Sequence, residues 1–389
     1  MRITEIRQLS VNLRGKLRNA VVDFSQHTVS LVALVSDVYR RGQPIIGIAF
    51  NSIGRFAQPG IIQDRLIPRI LGAKTETLLS DDHRRFSPQA IARTAMLNEK
   101  PGGHGDRSSA VAAIELAAWD LNAKLAGEPA YAHIARTLNK PLPTGGTPVY
   151  AAGGYYYPAK SKTTLLDELL NYRDLGYNSF KIKIGGAPLH SDLQRVEMAL
   201  RATQHPNTLA VDANGRFTRE QANQYGSALQ QFPLKWYEEP CDPLDYALLA
   251  EITRGYTGPI ATGENLFSAI DTHNLTQFGG LRGQQDILQM DPGLAYGLTE
   301  YLQMLKVAEQ AGFSPSQCIP HGGHLINLHI VTALGLGGCE AYPGVFQPFG
   351  GYAPQCRLED GRIFPSDAVG FGLEQKPELK DFINQLTEV

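Results

Sequence analysis

The feature that most constrains this chain is a ladder of ionisable residues. Lys183, Asp212, Glu238, Glu264, Asp291 and His321 follow one another at steps of 29, 26, 26, 27 and 30 residues. Each sits late in a short apolar run (SFKIKIGG, TLAVDANG, LKWYEEP, PIATGENL, DILQMDPG, SQCIPHGGH), close to Gly, Pro or Asn. VYAAGG before them and GCEAYP after them bring the strand candidates to eight, separated by helical stretches. A step of that size is one βα unit, and eight such units close a parallel barrel. The C-terminal ends of barrel strands converge on one mouth, where barrel active sites are built.

At 389 residues the chain is longer than one hydrophobic core usually organises. The fold class expected is α/β, a (β/α) barrel with an N-terminal α+β capping domain. The capping domain is assigned to residues 1–140, the barrel to 141–355, and a segment returning toward the capping domain to 356–389. The apolar runs ITEIRQLSV, TVSLVALVSDVY and IIGIAF predict an antiparallel sheet, with Arg40, Arg41 and Gly42 turning between the last two. From Ser108 the spacing of Val111, Ile114, Ala118, Leu121 and Leu125 predicts a helix packed on that sheet, ended by Gly127 and Pro129. Beyond residue 355, LEDGRIFPSDAVGFG is Gly-rich and lacks the repeat.

Lys and Arg total 36 against 38 Asp and Glu, a formal charge of -2, so no broad field favours nucleic acid or an anionic membrane. An anionic small-molecule substrate must be met locally. No window approaches the roughly 20 apolar residues of a membrane span, and MRITEIRQLSVNLRGK has no apolar signal core, so a cytoplasmic protein is expected. Cys241, Cys318, Cys339 and Cys356 form no CxxC pair and are expected to be free thiols. GGYYYP, from Gly153 to Pro158, and GLGLGG fit no nucleotide-loop pattern.

Asp212, Glu238 and Glu264 on consecutive strands bring three mutually repelling carboxylates to the mouth. A hard cation that accepts a few carboxylates and keeps positions for substrate removes that repulsion, so Mg²⁺ is the expected cofactor. Three unrelated solvated carboxylates are the plainer alternative, and the even spacing argues against it. Lys181 and Lys183 alternate along one strand and face the barrel interior together. Two interior cations are expected to lower each other's pKa, and Lys183, nearer the mouth, is the candidate base. A lysine pair guarding an edge strand is the alternative.

Asp291 and His321 end neighbouring strands, where the carboxylate can orient the imidazole and stabilise its charged form, placing an acid opposite Lys183. His321, His324 and His329 are close enough in sequence to raise zinc, but no Cys or HExxH motif accompanies them. Asn214 and Glu340 are further polar groups expected at the mouth. NEKPGGHGDRSS carries Lys100, His104 and Arg107 in a Gly-rich loop suited to folding over a barrel mouth.

The set of KIK, the single acids in VDANG, WYEEP and ATGEN, and the later Asp and His resembles the mandelate racemase subgroup of the enolase superfamily over nearly the whole chain. AAIELAAWDLNAKLAGEP is similar to that subgroup's link between cap and barrel. The resemblance implies that a carboxylate substrate chelates Mg²⁺, a base removes the α-proton, and the metal stabilises the enediolate. More narrowly, NEKPGGHG, AAGGYYYP, KIKIGGAP, VDANGRF, DPLDYAL, ATGENLF, CIPHGGH and FQPFGGY resemble the superfamily's D-tartrate dehydratases. The superfamily resemblance suggests a homo-oligomer, and the narrower likeness implies that Lys183 takes the proton and His321 protonates the departing hydroxide. It also implies substrate contacts from Asn19, Lys100, Tyr157, Asn214 and Glu340, with Lys100 on the distal carboxylate. One departure stands in FNSIGRF, where Ile53 replaces the polar Asn of the dehydratase pattern. An apolar residue there leaves another tartrate isomer or acid sugar open.

A racemase or epimerase on the same scaffold, a metal-independent Schiff-base aldolase using Lys183, and a carboxylate-binding homologue without activity are the competing readings.

Overall fold

The computed structural model describes residues 1–15, 17–156 and 164–388. Strands β1 (Ile3–Asn12), β2 (Thr28–Arg40) and β3 (Gln43–Phe50) form an antiparallel sheet in that order. Arg41 and Gly42 turn between β2 and β3 with φ of 52° and 79°, the left-handed conformation of a tight hairpin. The helix Asp106–Ala126 lies on this sheet and ends at left-handed Gly127. The two approach so closely that a Cβ on Gly47 would collide with the Ala117 carbonyl, so β3 needs glycine there.

Two acids on this helix join the parts of the chain. Asp120 accepts the Ile48 N–H (2.7 Å) and the Phe371 N–H (2.6 Å), tying β3 to the C-terminal segment. Glu115 accepts the N–H groups of Leu298 (2.9 Å) and Thr299 (3.0 Å), the otherwise unpaired donors at the start of helix Leu298–Gln310.

The second sheet is parallel over β4 (Thr147–Gly153), β5 (Phe180–Lys183), β6 (Leu209–Asp212), β7 (Leu234–Glu238), β8 (Ile260–Thr262) and β9 (Ile287–Leu288). β10 (Cys339–Ala341) pairs in parallel with β4, returning to the start of the barrel. The run SQCIPHGGH was expected as a strand, but it makes only a parallel bridge, Cys318 to Leu288. Two further ladder bonds extend it, Ile319 N–H to Leu288 O (2.9 Å) and His321 N–H to Gln289 O (3.2 Å). Pro320, which has no N–H, and the Gly322–Gly323 turn keep a regular ladder from forming.

The hairpin β11 (Arg357–Glu359) and β12 (Arg362–Phe364) pairs antiparallel with the first residues of β4. The final helix Lys380–Thr387 reaches the first sheet, where Arg7 donates to the Leu386 carbonyl (2.7 Å).

Candidate active site

Period-two alternation builds the barrel interior in layers. Tyr150, Ala210, Trp236, Ala261 and Ile319 form a separate buried apolar cluster, with Tyr150 and Trp236 edge to face at 5.1 Å. Two residues further along three of those strands stand Asp212, Glu238 and His321, so a charged layer rests on an apolar floor. β8 ends at Thr262, and Gly263 turns the chain at φ 125°, so Glu264 comes from the turn above the strand.

The charged layer is paired throughout. Lys183 Nζ lies 2.5 Å from Asp212 Oδ2 and 5.4 Å from the centre of the Tyr155 ring. Lys181 Nζ contacts Glu238 (2.6 Å), Glu340 (2.9 Å) and Asp212 (3.7 Å). For Lys181 this corrects the expectation that its lysine neighbour depresses it. Burial does push the Lys181 ammonium down, but Glu238 and Glu340 outweigh it and hold its pKa well above the ordinary value.

Burial opposes ionisation of Asp212 as well, yet Lys183 and Lys181 bring its pKa down to about 2. Glu238 goes the other way: burial and the Asp212 charge push it up to about 8 despite the lysines. Burial and the charges of Glu264 and Asp212 also raise Glu239 well above the carboxylate range.

His321 Nδ1 lies 3.1 Å from Asp291 Oδ2, and Nε2 lies 3.3 Å from the Tyr342 hydroxyl and 3.9 Å from Glu264. Burial disfavours the imidazolium, but Glu264, the Asp291 hydrogen bond and Glu340 outweigh it and raise the pKa to about 9. The ring is therefore a charged acid at neutral pH.

A cavity of about 390 Å³ opens over this layer, room for an acid of a few carbons. Lys183, Glu264, His321, Asn19 and Asn214 line it. Asn214, at φ 51°, donates its backbone and side-chain N–H groups to Asp212 (2.8 and 3.2 Å), while its Oδ1 is buried with no partner among the described residues. Asn19 Oδ1 instead caps its own turn, accepting from the Val21 and Val22 N–H groups.

Several expected positions differ. Glu340 does not line the cavity. It is 1% exposed and held by Lys181, the Gly322 N–H (2.9 Å) and the Tyr342 hydroxyl (3.0 Å), which makes it a buried brace. Lys100 lines a separate groove of about 850 Å³. Its loop is drawn there by Glu99, which meets Arg65 (2.5 Å), Arg69 (2.8 Å) and Arg107 (3.2 Å), and by His104 and Arg107, each 3.1 Å from the Tyr296 hydroxyl. Tyr157 lies outside the described residues.

The histidine-rich stretch does not gather around one point. His324 Nε2 meets Ser52 Oγ (3.1 Å), and His329 Nδ1 accepts the Tyr131 N–H (3.2 Å). The four cysteines are free thiols.

Sequence reasoning missed Glu239, Asn265, Arg55 and Tyr342 in the cavity wall. The second Glu of WYEEP was the visible signal for Glu239, which takes φ 40° just past the end of β7.

Among the described residues no three His, Cys, Asp or Glu stand ready as a metal cage. The donor chemistry nonetheless fits a hard divalent cation. Burial first, and then the charge of neighbouring carboxylates (Asp212 on Glu238, Glu264 and Asp212 on Glu239), keeps Glu238 and Glu239 from ionising normally, and every donor atom of Asp212, Glu238, Glu239 and Glu264 is oxygen. No helix is long and apolar enough to cross a membrane among the described residues.

Residues 164–379 match the family model described as enolase C-terminal domain-like. L-talarate/galactarate dehydratase of Salmonella typhimurium is 29% identical over 74% of this chain and 68% of its own length. Arabinonate dehydratase of Saccharolobus solfataricus is 27% identical, and the match spans 60% of each chain.

Among solved structures, the Salmonella L-talarate/galactarate dehydratase liganded with Mg and L-lyxarohydroxamate has a TM-score of 0.73 at 24% identity, covering 94% of this chain and 88% of that one. A mandelate racemase/muconate lactonizing enzyme from a marine actinobacterium in complex with magnesium has a TM-score of 0.72 at 20% identity, covering 99% and 98%. These likenesses establish the fold.

Proposed function

The chain belongs to the enolase C-terminal domain-like family, and from that premise we propose that it is a Mg²⁺-dependent hydro-lyase converting D-tartrate to oxaloacetate and water. The observation that carries the reading is one small cavity bordered by both Lys183 and a charged His321, over a set of crowded carboxylates. Acid-sugar dehydratases among the relatives support the same reaction class.

Asp212, Glu238 and Glu264 would hold the ion, with Glu239 beside them. When bound, Mg²⁺ supplies positive charge against the substrate carboxylate that gains electron density and against the carboxylates now facing the lysines.

Lys183 Nζ takes the proton from the carbon next to that carboxylate. Its Nζ is held at the cavity wall by Asp212 Oδ2, which fixes where the proton is received. Lys181, held charged between Glu238 and Glu340, keeps positive charge beside the layer.

His321 carries its proton on Nε2, the nitrogen turned from Asp291, and delivers it to the hydroxyl on the neighbouring carbon. The C–O bond breaks with its electron pair, water leaves, and the C–H electrons become the new C=C bond. The enol tautomerises to the keto acid, and solvent resets both side chains. Asn214 Oδ1 is an open acceptor for a substrate hydroxyl.

The test is incubation with Mg²⁺ and D-, L- and meso-tartrate, galactarate, talarate, arabinonate and gluconate, assaying 2-keto acids with an EDTA control. Keto acid from D-tartrate, lost with EDTA, is the expected result. Keto acid from another compound alone moves the assignment to that acid sugar. Solvent deuterium incorporation without any keto acid replaces dehydration by racemisation or epimerisation, in which the acid returns a proton to the same carbon.

A further inference from the structure

The dehydratase reading needs a cation for the second carboxylate of a diacid, and Lys100 is not in the cavity. The capping loop after β3 supplies another. Its Ser52 N–H donates to the Gly293 carbonyl (3.2 Å) and its Ser52 Oγ meets His324 (3.1 Å), so the loop is fastened to the barrel rim. Ile53 is 2% exposed and anchors the loop through apolar packing.

Gly54 lies against the acid, since a Cβ placed on it would stand 3.9 Å from His321 Cε1. Arg55 follows and lines the cavity. Its Nη2 donates to Asn265 Oδ1 (2.8 Å) and its Cζ lies 5.2 Å from the centre of the Phe267 ring. Asn265 is oriented in turn by donating to Glu239 (2.8 Å).

Arg55 has no acidic partner among the described residues, in contrast to Lys183. A guanidinium has five N–H donors, and among the described residues Arg55 spends one on Asn265 and a long one (3.4 Å) on the Gly54 carbonyl.

We propose that Arg55 binds the distal carboxylate of the substrate and so selects diacids over monoacids, an inference that rests on the dehydratase reading. The chemistry places it. The carbon that loses hydroxide faces His321, and the distal carboxylate is attached to that carbon. The cation that receives it therefore belongs beside His321, where Gly54 and Arg55 are. Arg216, the other cavity arginine, donates instead to the Gly185 carbonyl, next to the strand that carries Lys183.

The experiment compares binding of succinate and butyrate, equal in length and differing by one carboxylate, by calorimetry with Mg²⁺ present. The proteins are the unaltered chain, Arg55→Met, Arg55→Lys, Arg216→Met and Lys100→Met, each checked for fold by circular dichroism. The unaltered protein is expected to prefer succinate by roughly tenfold to a hundredfold, the range of a charge-assisted pair. Arg55→Met is expected to bring the ratio close to one, Arg55→Lys to restore part of it, and the other two to keep it.

No preference in the unaltered protein, a ratio that survives Arg55→Met, or its loss in Lys100→Met or Arg216→Met overturns the assignment. Turnover separates the two readings. If the unaltered chain makes no keto acid from any diacid while the ratio still depends on Arg55, dehydration is refuted and the carboxylate site stands.

Discussion

Glu115→Ala is expected to destabilise the fold more than a typical buried substitution, because one carboxylate holds together the linking helix and a barrel helix. Its Oε1 accepts the Trp119 indole N–H (3.0 Å), the Thr299 N–H (3.0 Å) and the Thr299 hydroxyl (2.5 Å), and Oε2 accepts the Leu298 N–H (2.9 Å). Burial raises its pKa, so the carboxylate itself is held at a cost that these donors offset only in part. The hydroxyl can rotate to another acceptor, whereas the three N–H groups cannot.

Each fixed donor left unpaired costs about 1–3 kcal/mol. Relief from the buried charge returns part of that sum, leaving a net loss of roughly 3–5 kcal/mol, typical of breaking a buried charged interaction from one side. Glu115→Gln keeps an oxygen at the Oε1 position and presents an amide N–H to Leu298, so it should lose only about 1–3 kcal/mol. Urea unfolding followed by circular dichroism, with Trp119 fluorescence as a local probe, measures both. An alanine variant within about 1 kcal/mol of the parent, or a glutamine variant less stable than the alanine, refutes the reasoning.

Lys183→Met should lower kcat on the preferred acid by at least about a hundredfold with an unchanged circular dichroism spectrum, and retained keto-acid production removes Lys183 as the base. Glu238→Gln should weaken Mg²⁺ binding roughly tenfold or more, because it removes one of the carboxylates that would hold the ion. A Mg²⁺ titration that moves with Glu239→Gln instead would transfer the ligand role to Glu239.

Acid should destabilise the protein through His329, whose pKa burial lowers to about 3, with Nδ1 accepting the Tyr131 N–H and Nε2 unpartnered among the described residues. Between pH 6.5 and 3 the unfolded chain takes a proton that the folded one refuses. The contribution is therefore complete above pH 6.5 and is lost on acidification at up to about 1.4 kcal/mol per pH unit. His329→Asn keeps an acceptor for Tyr131 and should shrink the stability change between pH 6.5 and 4.5 by about 2–3 kcal/mol. An equal pH dependence in both proteins would exclude His329 as a source.

Strand periodicity makes the barrel and its interior face legible in the sequence. Positions two apart share a face, so Lys181 with Lys183, Trp236 with Glu238, and Ile319 with His321 are placed inward by sequence alone, and the βα step puts them at successive strands. The contact between Asp291 and His321 was legible in the same way, because neighbouring strand ends are neighbours in space.

Periodicity states direction but neither depth nor partner, and those came from tertiary packing. Glu340 faces inward and is consumed as a brace by Lys181 and Tyr342, while Glu239, one residue past an inward position, reaches the cavity because the chain turns there at φ 40°. Lys100 lay in a loop that read as a lid, but three arginines on Glu99 draw that loop to an outer groove. Arg55 enters the mouth because Ser52 fastens its loop to groups more than 200 residues away, Gly293 and His324. Spacing along the chain could announce each strand end. Only the closing of the barrel and the seating of the cap decided which charges meet one another and which are left to face a ligand.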